Sequence, residues 1–475
     1  MMKKTTDKIA RNGKGKRPGL WAVSLVVSLQ VMALVLFSMA TPGSVESKTF
    51  IVNSTLDETD ATPGDGACES ASGTCTLRAA IQEANALTGA DVIKLKAGLY
   101  MLTIAGASED ACATGDLDIQ DDLTIIGKGA KNTFINAGQL DRVFDIPDPV
   151  SVTIAKVTIQ NGAEPHGRGG AIHNLHGILT LEGVTISNNF AFGGDSSYGG
   201  GICNYATLTM RGSTVSNNLV LPLSISNFAC GGGIFNWGNL TITGSTISTN
   251  SLLASNPWAQ GGGIFHENGT LTIIGSTLSN NIVRNVRTSG EASGGGIYSA
   301  IGTVTIKKST LSNNSVLGGD DSEGGYGGGI ANQAALLTIT ASTLSNNSAS
   351  GYSANGGGVT NLEGPLTITG SKILNNVVRG EVFGCGGGIL SQDSEVTIEQ
   401  STISGNAASC TSNTWRLGYG GGIFLNRGTL TVQNASKIVR NFSTSACGGI
   451  CYWAGTGSIS ADSSVTKNIP DDTCP

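Results

Sequence analysis

One phrase returns ten times between Gly169 and Ile450, and no other feature constrains this 475-residue chain as strongly. A Gly cluster and an aliphatic residue lead into a Leu-Thr-Ile-like run, then into Ser-Thr-Ile-Ser-x-Asn. The aliphatic residues after the Gly clusters are Ile172, Ile202, Ile234, Ile264, Ile297, Ile330, Val359, Ile389, Ile423 and Ile450. Their mean spacing is about 31 residues, a period that signifies a solenoid or array. Within a copy the pattern alternates with period two, as in Leu240-Thr241-Ile242 and Thr246-Ile247-Ser248, which is the mark of short strands with one buried face. Three such strands per copy, with Gly or Asn at the corners, predict one turn of an all-β, right-handed parallel β-helix. Successive turns then stack about 4.8 Å apart, and aligned aliphatics form columns inside the tube.

Asn stands three positions after the last aliphatic residue of every copy, at Asn189, Asn218, Asn250, Asn281, Asn314, Asn347, Asn376, Asn406, Asn441 and Asn468. In register, these side chains are expected to form a structural ladder of hydrogen bonds and to adopt the left-handed backbone of a tight corner. Thr180, Thr209, Thr241, Thr272, Thr305, Thr338, Thr367, Thr397 and Thr431 alternate with inward aliphatics and so face outward. This suits the solvent side of a strand better than an ice-binding array, for which one Thr per strand is narrow. The segments between the ladder Asn and the next Gly cluster vary, as in Leu219 to Cys230 and Ile282 to Ser293. They are expected to project from one edge of the tube, where solenoids meet partners.

The two ends of the chain read differently. Seven basic residues against one Asp in positions 1–19 precede an uncharged apolar run, Leu20 to Ala40, that ends in Ser38-Met39-Ala40. Residues 1–40 therefore read as a secretory signal, or as an uncleaved anchor, since the run is long enough to span a bilayer. The expected location is secreted or cell-surface, with membrane contact only through that segment. The whole chain has a net charge of −6. Without the basic segment the body carries about −12, which leaves no electrostatic footprint for nucleic acid. Residues 48–168 form a separate block with an amphipathic helix over Thr76–Leu87 that caps the first, less regular turns, and residues 169–475 carry the repeats.

Ten Cys in an exported chain point to disulfides. The spacing pairs Cys68 with Cys75, Cys203 with Cys230 and Cys385 with Cys410. Cys447 and Cys451 are too far apart in an extended strand to bond each other, and one of them is expected to take Cys474; Cys112 has no assigned partner.

Catalysis on a β-helix needs carboxylates from neighbouring turns at equal phase. Between residues 180 and 440 only four Asp occur, Asp195, Asp320, Asp321 and Asp393, with Glu323 beside the one local pair. The N-terminal block is richer, and Asp116, Asp118, Asp121 and Asp122, with Asp141 and Asp145 a turn later, are candidates for Ca²⁺. No other cofactor is indicated.

Cys75-Thr76-Leu77-Arg78-Ala79-Ala80-Ile81-Gln82-Glu83-Ala84-Asn85 closely resembles the motif that names the CSLREA-domain proteins of bacteria, with Thr76 and Ala79 in place of its Ser and Glu. Thr114 to Ile119 and Asp141 to Phe144 look like further parts of that pattern. The Gly-Gly-Gly-Ile and Ser-x-Asn repeats are similar to those of polymorphic outer membrane proteins. The resemblance implies a right-handed parallel β-helix and export, and no defined activity. The expectation is a monomeric surface or secreted structural, adhesin-like protein that meets glycans or proteins along its loop edge. The alternative is a Ca²⁺-dependent, pectate-lyase-like enzyme.

Overall fold

Alternating Leu, Ile and Val can all be buried only if neighbouring turns place them in line, and the computed structural model of the chain shows that alignment. It describes residues 47–474, apart from 107–108, 194–195, 224–227, 256–257, 287–289, 320–323 and 413–416. The signal reading over 1–40 and the acids Asp195, Asp320, Asp321 and Glu323 lie outside the described residues. The chain divides into a unit Met1–Ser44 and a unit Val45–Pro475, and all described residues belong to the second.

The second unit is a right-handed parallel β-helix of about twelve turns. One turn carries a first strand Ile234–Asn236, a second Asn239–Thr243, a third Thr246–Ser248, a fourth Ser251–Ala254 and a fifth Trp258–Gln260. First and second strands of successive turns join a 25-stranded sheet, third strands a 13-stranded sheet, and fourth and fifth strands a 16-stranded sheet. Ile234 stacks between Ile202 and Ile264, and Ile247 between Val215 and Leu278. Ile234, Leu240, Ile242 and Ile247 are all fully buried. Each contributes roughly 1.5–3 kcal/mol of gross burial energy against the entropy of ordering its turn.

The turn therefore has five strands rather than the three expected. The variable segment itself folds as the fourth and fifth strands, which face each other across a thin core of their own, including Val220, Ala229, Leu252, Ala259 and Val283. Alanine and valine in short runs beside variable tips gave no periodic signal strong enough to distinguish strand from loop. The pair forms an arm attached to the tube.

The attachment explains the Gly clusters. Gly231 has φ +69°, a left-handed turn that L side chains rarely adopt. A Cβ on Gly232 would lie 2.4 Å from the carbonyl oxygen of Gly262, and one on Gly233 would lie 2.9 Å from Asn250 Cγ. The Gly corner thus presses against the Asn corner of its own turn and pinches the tube off from the arm. At that corner, Asn250 Nδ2 donates to Asn281 Oδ1 at 3.0 Å and to the Val215 carbonyl at 3.0 Å. The same side-chain bond recurs from Asn189 to Asn468. The left-handed backbone belongs to the residue before each ladder Asn, as at Asn217 and Asn280, and not to the ladder Asn. The buried amide bonds to the turns on either side, while its exposed predecessor makes the corner.

At the N-terminal end the helix Leu77–Ala86 starts at Thr76, whose side chain accepts from the Ala79 amide. Fully buried Arg78 pairs with Asp57 at 2.7 Å and donates to the carbonyls of Cys112, Gly115 and Asp116. Asn85 binds the Asp118 carbonyl and the Gln120 amide. The polar residues of this segment anchor the cap to the first turns.

Disulfides join Cys68 to Cys75 and Cys447 to Cys474. No disulfide joins Cys203 to Cys230 or Cys385 to Cys410. Cys203 lies in a first strand beside His173 and Phe235, whereas Cys230 lies in a fifth strand beside Tyr198 and Gln260. Cys385 aligns with Tyr419 in fifth strands, whereas Cys410 aligns with Gly380 in fourth strands.

Candidate functional site

The residue after each inward Ile or Val points away from the tube and would ordinarily meet solvent. Here the Gly corner folds the fifth strand back against the first, so this column lines a crease between tube and arm. Phe235, Phe265 and Tyr298 occupy it in successive turns, only 2 %, 4 % and 7 % exposed. Their rings stack at 5.2 Å between centroids and 6° between planes. Together with Cys203 and Cys230 they form an apolar cluster separate from the core of the tube.

Two grooves open along this crease. The first encloses about 210 Å³ and is walled by Tyr198, Tyr205, Phe235, Trp237 and Phe265, with Glu267 at its edge. The second encloses about 470 Å³ and is lined mainly by polar groups, among them Gln260, Ser293, Gln333, Asn355 and Gln392, with Trp258 and Tyr298. Tyr298 donates its hydroxyl to Gln333 Oε1 at 2.7 Å, which fixes both side chains. From the turn of Tyr205 to that of Gln392 there are six steps, so the crease runs for about 29 Å. Trp237 and Trp258 are 50 % and 41 % exposed at its rim. Burial pushes the Glu267 carboxyl above its usual range. Phe235 and Phe265 were visible in the sequence, but without the crease they read as outward residues with no common surface.

The same column begins in acids, three and four turns before Phe235. Asp118, Asp145 and His173 pair across the first turns at the phase of Phe235. Here Asp141-Arg142-Val143 stands where later turns have Gly. Carboxylate oxygens of Asp116, Asp118 and Asp145 lie within 4.8 Å of one another. Arg142 contacts Asp116 at 3.0 Å, Asp145 at 3.2 Å, Glu164 at 3.5 Å and Asp141 at 3.9 Å. Burial and mutual repulsion push Asp116 up to about 8 and Asp118 up to about 7, whereas His173 and Arg142 hold Asp145 below its usual range. Of the four Ca²⁺ candidates, only Asp116 and Asp118 join this group. Asp121 and Asp122 instead accept backbone N–H groups from Gly89 and Ser151 at corners.

Three carboxylates and a basic side chain thus converge, as polysaccharide lyases require. Asp116 is 5 % exposed, Asp118 is fully buried, and the surrounding acids hold Arg142 in its charged form. The buried carboxylates are closed to a sugar, and Arg142 is not free to act as the base that such lyases use. The acid Asp393 stands apart, at the corner between the first- and second-strand segments of Ile389–Glu399, paired with Arg427. No family model, curated protein or solved structure matches the chain.

Proposed function

We propose that the protein is an exported, surface-exposed or secreted binding protein, export being what the CSLREA resemblance implies, and that its crease holds a neutral oligosaccharide chain. The observation that carries this reading is the row of aromatic rings and amides in the two grooves that open along about 29 Å of the crease. Aromatic faces pack on the apolar C–H faces of sugar rings, and Tyr and Trp add polar edges. Gln and Asn side chains offer paired donors and acceptors to hydroxyl groups without a charge to desolvate. Glu267 and Glu291 line the crease. Their charge and the acidic body disfavour polyuronates, and therefore disfavour the pectate-lyase-like alternative.

A panel of neutral and anionic polysaccharides tests this by calorimetric titration against the wild type and Trp237→Ala. The expected result is saturable binding of a neutral glycan, without release of reducing or unsaturated ends. Loss of Trp237 should weaken binding about 30-fold, the ~2 kcal/mol of an interface anchor. Binding that survives Trp237→Ala unchanged, or a preference for polyuronates with cleavage, would overturn the proposal.

A further inference from the structure

The acidic group at the head of the crease has a charge imbalance that its own residues do not resolve. Asp116, Asp118, Asp141, Asp145 and Glu164 surround Arg142, and four of the five are at most 5 % exposed. Among the described residues, the guanidinium of Arg142 contacts them, as do the imidazoles of His173, 3.1 Å from Asp145 Oδ1, and of His166, against Glu164. Glu164 is satisfied by His166 and by the amides of His166 and Arg168. Asp141 accepts from the Arg142 amide. Asp118 is different: Oδ2 accepts from the Cys112 amide at 2.8 Å, and buried Oδ1 has no hydrogen-bond partner among the described residues. A fully buried carboxylate oxygen without a donor costs several kcal/mol unless a proton or a cation meets it.

We propose that Asp116, Asp118 and Asp145 bind one hard divalent cation, with Ca²⁺ the best match. Three carboxylates drawn from two adjacent turns, all oxygen donors, are the ligand type that Ca²⁺ and Mn²⁺ take, with waters completing the shell. Arg142 occupies one oxygen of Asp116, while Arg142 and His173 engage the two oxygens of Asp145, so the ion would take the other Asp116 oxygen, Asp118 Oδ1 and an Asp145 oxygen shared with one of those partners. Asp118 and Asp145 sit in adjacent first strands, and Arg78 and Asn85 tie the helix to the carbonyls of Cys112, Asp116 and Asp118. The ion would therefore lock the cap onto the first turns. The role is structural, because the site is closed to a substrate, and it is independent of glycan binding in the crease.

The test uses the purified protein after chelation. Titration with CaCl₂ should show one ion per chain and a rise in melting temperature that a chelator reverses. Asp118→Asn and Asp145→Asn should each weaken binding about tenfold or more through loss of ligand charge. The metal-free Asp118→Asn protein should melt no lower than the metal-free wild type, since it loses a buried charge. Fe²⁺ with ascorbate should cut the wild-type backbone near residues 116–118 and 145, a mapping that needs no variant. The proposal is overturned if the folded wild type takes up neither Ca²⁺ nor Mn²⁺, if cleavage maps elsewhere, or if a folded variant binds as the wild type does.

Discussion

Replacing Asn281 by Ala isolates what the ladder contributes in the middle of the stack. Asn281 Nδ2 donates to Asn314 Oδ1 and to the Ile247 carbonyl, both at 3.0 Å. Its Oδ1 accepts from the amide and the side chain of Asn250 at 3.1 and 3.0 Å. The substitution removes all four bonds. Asn314 Oδ1 retains the Asn281 amide, and Asn250 Nδ2 retains the Val215 carbonyl. The Ile247 carbonyl stays within the ladder of third strands, whereas the Asn250 amide loses its partner at a site closed to water. At about 1–3 kcal/mol for a stranded group, the loss is about 1–3 kcal/mol, felt locally because each turn contacts only its neighbours. Hydrogen exchange followed by mass spectrometry reads it as faster exchange in peptides covering residues 247–251 and 278–283. Thr272→Ala, on the outward column of the same turn, should change exchange there by no more than about 0.5 kcal/mol. Equal effects from the two variants, or a ladder effect below about 1 kcal/mol, would refute the reasoning.

Three further outcomes follow from named residues. His266 takes the place of Asn in the column of Asn174, Asn204 and Asn236, and burial pulls its imidazole down to about 4. Because the unfolded chain takes up the proton first, stability is full above pH 6.5 and falls by about 3 kcal/mol as the pH drops to 4; His266→Asn should flatten that part of a denaturation series. Arg78→Met strands Asp57 in the cap and should cost about 3–5 kcal/mol, read as early melting and fast exchange over residues 57–86 while the central turns stay protected. Buried Cys203 and Cys385, whose thiols are pushed up to about 12, should resist iodoacetamide at pH 8 until the protein is denatured.

The tube was legible because its signals are local and repeated. Alternating aliphatics fixed the strand faces, and a ten-fold Asn at constant phase fixed a ladder, though not which residue turns left-handed. The arm was not legible: Ala229-Cys230 and Ala259-Gln260 become strands only by pairing with the turns above and below. The crease then followed from the Gly corner pressing on Asn250, a contact between residues far apart along the turn. The expected disulfides of Cys203 and Cys385 are not formed, although Cys203 and Cys230 share one apolar cluster. The acidic site was half visible, since Asp116 and Asp118 are close in sequence but Asp145 joins them only through the stacking of turns.

The central claim is that the crease, and not the Thr face or the arm tips, meets the ligand. Hydrogen exchange of the protein with and without a bound neutral oligosaccharide tests this most directly. Protection confined to peptides around Tyr198–Tyr205, Cys230–Trp237, Gln260–Glu267 and Ser293–Tyr298 is the predicted result. Protection centred on the Thr241 and Thr272 column, or none along the crease at saturating glycan, would contradict the account.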